Sequence, residues 1–171
     1  MLGVAARRVV AGAARPSLRT TSRCFSTAEA PTTMKLNFCL PHETIYKDKD
    51  VDQVIIPGSA GEYGVTAGHS PIVAELKPGV VQVIHETGQE PESFFVSAGF
   101  ALTHPTSVTD ITAIEAVRVE ELDEGAVKSS YDAAKREMDS AAEGSREAAE
   151  AQVAVETTKA MAAAIGVVLA N

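Results

Sequence analysis

The sequence predicts an α+β fold in two parts: an antiparallel β-sandwich over residues 34–118, then an antiparallel α-helical hairpin over 119–171. Three observations predict it. Short runs rich in β-branched and aromatic residues recur roughly every ten positions up to 118, each closed by Gly, Pro, Asp or Asn. No helical period appears before Glu115. From Val119 the apolar spacing becomes helical, and Gly144 divides it into two stretches.

Ahead of the sandwich lies a segment of another kind. Residues 1–28 hold Arg7, Arg8, Arg15, Arg19 and Arg23 and no acid, among Ala, Val, Ser, Thr and Leu. That composition marks an organelle transit peptide, expected at 1–25 and cleaved, with Arg23-Cys24-Phe25-Ser26 as the processing site. Arg7 and Arg8 interrupt the apolar stretch that a secretory signal needs. Residues 26–33 are expected to form a flexible lead-in.

The strands follow in order. Leu36, Phe38 and Leu40 alternate with Asn37 and Cys39, and Thr44 and Tyr46 mark a second strand. Further strands are expected at 51–56, 80–84, 93–97, 100–103 and 108–112. Between 56 and 80 the chain changes character. Gly58, Gly61, Gly64 and Gly68 lie between Pro57 and Pro71, and Lys77-Pro78-Gly79 follows. Glycine at that density implies left-handed positions or close backbone approach, and proline fixes the flanks, so a specified loop is expected.

The first helix is read from Val119, Leu122, Ala126, Ala133 and Met138. Glu120, Glu121, Asp123 and Glu124 stand at its start and Lys135 and Arg136 near its end, which complements the helix dipole. The second is read from Ala148, Ala151, Val155, Thr158, Ala162, Ile165 and Leu169. This alanine-rich stripe is too small for an independent core, so the hairpin should pack on the sandwich or on a partner.

Bulk composition excludes several functions. The chain has 171 residues, and 45% are apolar, enough for a packed core. It holds 15 basic and 23 acidic residues; without the five leader arginines the body stands at about −13. Such a body does not bind nucleic acid non-specifically, and 5% aromatics without Trp make no base-stacking platform. The longest apolar run, 160–170, falls well short of the roughly 20 residues a spanning helix needs. Membrane contact is therefore expected only through partner subunits. Cys39 is the lone cysteine beyond the leader, so no internal disulfide is expected in the mature chain.

No chemistry assembles in the sequence. His42, His69, His85 and His104 are scattered, without the close pairs of a metal site. Nucleophile-elbow, P-loop and dinucleotide-binding patterns are missing. No catalytic residue, cofactor or metal site is predicted. A cupin-like small-molecule-binding or metal-dependent sandwich in an organelle is the alternative class.

Gly61-Glu62-Tyr63-Gly64-Val65-Thr66-Ala67-Gly68-His69-Ser70-Pro71-Ile72, followed by Leu76-Lys77-Pro78-Gly79, resembles the hallmark of the ATP synthase delta/epsilon family. Phe95-Val96-Ser97-Ala98-Gly99-Phe100, Val108-Thr109-Asp110-Ile111-Thr112-Ala113 and Leu122-Asp123-Glu124 match further family segments in the right order. The resemblance implies a β-sandwich followed by a helical hairpin. It also implies a non-catalytic rotor role at the foot of the central stalk. The implied partners are the gamma subunit, the c-ring and the small mitochondrial epsilon subunit, on the matrix face of the mitochondrial inner membrane. It implies a c-ring interface at Glu62, Tyr63, Gly64, Val65, His69 and Ser70. One departure has a chemical consequence. Nucleotide-binding bacterial relatives carry an Arg where Ala126 stands, so the phosphates lose their bidentate partner and no nucleotide sensing is expected.

Overall fold

The computed structural model describes residues 32–169. The expected transit peptide and most of the lead-in lie outside the described residues. Ten strands come first: β1 Met34–Cys39, β2 Thr44–Val51, β3 Gln53–Gly58, β4 Gly61–Thr66, β5 Ile72–Leu76, β6 Gly79–Ile84, β7 Glu92–Val96, β8 Gly99–Thr103, β9 Val108–Ala113 and β10 Ala116–Arg118. A 3-10 turn, Val119–Glu121, leads to helices α1 Glu124–Ser140 and α2 Arg146–Ala164.

The strands run β10-β7-β6-β3-β5-β8-β9-β1-β2, with β4 on the other edge of β3. β3 holds β6 along Gln53–Ile55 but meets β5 at Gly58. Changing neighbours within one strand turns the sheet through a corner, and its two halves close over a single core. Leu36, Phe38, Val54, Ile56, Val65, Val81, Val83 and Val96 are fully buried there. Each such side chain contributes roughly 1.5–3 kcal/mol. Phe38 meets Phe94 edge-on at 5.6 Å between ring centres.

The structure corrects the expected strands in three places. The run 51–56 is divided, because Val51 ends β2 and the chain turns at Asp52 before β3. The glycine-rich loop is largely strand: β4 pairs with β3 along its whole length, from Gln53 opposite Thr66 to Gly58 opposite Gly61. Glycine lowers strand propensity, but Tyr63 and Val65 bury enough surface to override it. The sheet is also not wholly antiparallel. β1 and β9 pair in parallel, Lys35 opposite Val108 through Cys39 opposite Thr112. Residue alternation marks a strand with one face exposed, which is usual for antiparallel pairing but does not exclude a parallel neighbour.

The sheet's two end strands are drawn together by one carboxylate. Glu92 on β7 accepts from the Tyr46 hydroxyl on β2, from His85 Nε2 at 3.1 Å, and from the Arg118 guanidinium on β10. Arg118 also lies over the Phe94 ring, 5.3 Å from its centre. Burial pushes the Glu92 carboxyl up, but Tyr46, His85 and Arg118 together outweigh it and hold it below the usual glutamate range. Burial first, and the Glu92 bond next, push the Tyr46 phenol far up.

The first helix starts later than its expected stripe. Asp123 is its N-cap, with Oδ1 accepting from the Ala126 amide at 2.6 Å. Val119 and Leu122 therefore precede the helix, and Ala126, Ala133 and Met138 are exposed. The buried stripe is Val127, Tyr131 and Ala134. The second helix follows its expected stripe from Ala151 to Ala162, with Ala151, Val155, Thr158 and Ala162 buried, but it ends at Ala164, so Ile165 and Leu169 lie beyond it. Gly144, at φ 77°, makes the turn, and Ser145 caps α2. The helices pack on each other, and α2 rests on β6.

Candidate partner interface

The β3–β4 turn is held by close packing. A Cβ on Gly58 would sit 2.9 Å from the Gly61 carbonyl oxygen and 3.1 Å from the Tyr63 ring. Gly61 takes φ 137°. From that turn β4 alternates, so the expected interface residues divide between two faces.

Glu62 and Gly64 lie on the outer face, and both are exposed. Glu62 makes no ion pair among the described residues. It borders a groove of about 260 Å³ between the sheet and the end of α2, where Pro57, Val80 and Gln82 face Ala160, Ala163 and Ala164. The Gln53 amide lies across Gly64, where a Cβ would meet Nε2 at 2.7 Å.

Tyr63 and Val65 lie on the inner face. Val65 is fully buried in the sandwich core, which corrects its place in the expected interface: a strand cannot offer consecutive side chains to one partner. Tyr63 packs against that core, its hydroxyl buried and without a hydrogen-bond partner among the described residues. Burial pushes this phenol up.

His69 and Ser70 lie beyond the strand, in the turn to β5. The turn is pinned at several points. The His69 amide donates to the Thr66 carbonyl at 3.1 Å, and the Gly68 amide to Ser107 Oγ at 2.9 Å. His69 Nδ1 is 2.7 Å from the Ser70 carbonyl, which fixes the proton on Nδ1. The His69 ring stands 6.4 Å from that of Tyr63. Of the six expected residues, Glu62, Gly64 and Ser70 are exposed and Val65 is not.

One surface lay outside the sequence expectation. On the outer face of β5 and β8, Val73 sits opposite Leu102, and Phe100 stands two residues along, opposite Glu75. Val73 is 69% exposed and Phe100 61%. The signal was present in Ile72-Val73 and in Phe100-Ala101-Leu102, which are apolar on both faces of their strands. Among the described residues no three His, Cys, Asp or Glu side chains could share a metal ion. No helix among them is long and apolar enough to cross a membrane.

The fold and the hairpin geometry agree with comparisons to known proteins. The family model for the beta-sandwich domain of the ATP synthase delta/epsilon chain matches residues 33–119. The chain belongs to the ATP synthase delta/epsilon family. Within it, the mitochondrial ATP synthase subunit delta of Yarrowia lipolytica is 41% identical over 157 residues, covering 92% of this chain and 95% of the relative. That of Saccharomyces cerevisiae is 43% identical over 129 residues, covering 75% and 78%. A chain in the structure of the Euglena gracilis mitochondrial ATP synthase, OSCP/F1/c-ring, superposes with a TM-score of 0.75 at 30% identity, covering 82% of this chain and 86% of that one. The delta/epsilon assignment thus extends over the hairpin as well as the sandwich.

Proposed function

We propose that this chain is a non-catalytic rotor subunit of the central stalk of a mitochondrial ATP synthase, on the matrix face of the inner membrane. The observation that carries the reading is near end-to-end similarity to mitochondrial delta subunits, on a sandwich whose glycine-rich hairpin is packed and hydrogen-bonded rather than open. Torque transfer needs a body that does not yield, and the two-layered sheet over one core, with its pinned turns, supplies one. The subunit has no active site of its own.

We infer three contacts. The segment from Glu62 to Gly64 and the turn to His69 and Ser70 meet the polar loops of the c-ring. The apolar outer face of β5 and β8, with Val73, Phe100 and Leu102, seats against the gamma subunit, since a permanent interface buries such residues. The helical hairpin is left to the small epsilon subunit.

The test is purification of the tagged chain from detergent-solubilised mitochondrial membranes. The expected outcome is co-purification of gamma and the c-ring. Glu62→Lys should weaken retention of the ring, and Phe100→Asp retention of gamma, with the fold of the isolated chain unchanged in both. Recovery of the chain without any ATP synthase subunit would overturn the reading. Stoichiometric bound metal with substrate turnover would favour the cupin-like alternative.

A further inference from the structure

β2 and β10 each pair with a single neighbour among the described residues, β1 and β7 respectively. Both line one groove of about 350 Å³, β2 through Thr44 and Ile45, β10 through Ala116 and Val117. A free strand edge is a template for another chain, and proteins ordinarily blunt it with charge or irregular backbone. The far half of β2 is blunted in this way. Lys47, Asp48, Lys49 and Asp50 follow one another, and Asp48 takes φ 47°. The groove half carries less charge. Thr44, Ile45, Ala116 and Val117 are uncharged, Val117 is 37% exposed, and the one charged strand residue lining the groove, Arg118, is paired with Glu92.

The charges bordering the groove have one sign available to a partner. Glu43 and Glu121 are exposed on its rim, while Arg118 is engaged by Glu92. We propose that an extended segment of a neighbouring stalk subunit, bearing Lys or Arg, lies in this groove as an added strand. Its backbone bonds to the free edges, and its basic side chains face Glu43 and Glu121. The proposal rests on the stalk reading above and deepens it by naming a surface distinct from the β5–β8 face. A partner helix is the competing occupant, but helices leave edge amides unpaired.

Residue-resolved hydrogen exchange on the intact ATP synthase, compared with the purified full chain, tests it. An added strand bonds only the outward amides. Alternate amides within 44–46 or 116–118 should therefore slow about tenfold or more in the complex. The double variant Glu43→Lys/Glu121→Lys lies on the exposed rim, away from the core, and should cut that protection by roughly threefold to tenfold. Unchanged exchange at both edges in the assembled enzyme would overturn the strand, as would slowing that is uniform rather than alternating. Absence of the chain from the purified enzyme would instead overturn the stalk reading.

Discussion

Glu92 shows how much one side chain can hold. It carries bonds from three strands or their ends, and it is 24% exposed, so water screens it only in part. Its carboxyl is held below the ordinary range in the folded protein, so the stabilisation is present above the unfolded value and lost as pH falls through the folded one. Glu92→Gln should therefore cost about 1–3 kcal/mol at neutral pH and flatten the acid limb of the stability curve, read by urea denaturation from neutral to acid pH. Gly99 is a second single-residue constraint. A Cβ there would stand 2.2 Å from the Thr112 carbonyl oxygen and 2.8 Å from the Ala113 Cα, both backbone atoms that cannot swing aside. Gly99→Ala should cost roughly 1–3 kcal/mol, measured as a lowered urea midpoint at unchanged slope. At this scale the sequence was only half legible. Val65 was counted with Glu62 as an interface residue, yet strand pairing with Val54 turns it into the core. Spacing within a glycine-rich stretch cannot tell a turn residue from a strand residue until the partner strand is known.

Among the elements, α1 is set by its first residue. Asp123→Ala removes the side-chain acceptor of the Ala126 amide and should cost about 1 kcal/mol. The loss should be local: amides of the first turn should exchange faster while the sandwich core keeps its protection. The cap also explains the misread stripe. Counted from Val119, the apolar residues fit a helix; counted from the cap, Val127, Tyr131 and Ala134 do. In the second helix Ser145 and Gly144 set a start that the spacing already agreed with, and its buried face was legible. Strands with strong alternation, such as β1 and β6, were legible for the same reason. β4, β5 and β10 were not, since Gly61 and Gly64 mask the first, Ile72-Val73-Ala74 in the second does not alternate, and the third has only three residues. Their strand character comes from neighbours distant in sequence.

For the whole molecule the acidic charge and the hairpin chemistry bear on regulation. Ala126 is exposed on α1 and offers no guanidinium to a phosphate. Calorimetry of the isolated mature chain with ATP should give no heat of binding, and tight binding would contradict the expectation. Fold class and family were legible because they rest on ordered segments spread along the chain. The apolar β5–β8 face and the free edges were not, because the first depends on which side of each strand meets the core and the second on which strands end the sheet. That order also governs assembly in time. Asn37 bonds Asp110 across 73 positions, in the parallel zipper between the first strand and the ninth. Contacts so distant along the chain are made late and slowly. Until the ninth strand has arrived, the first and eighth both wait with open sides.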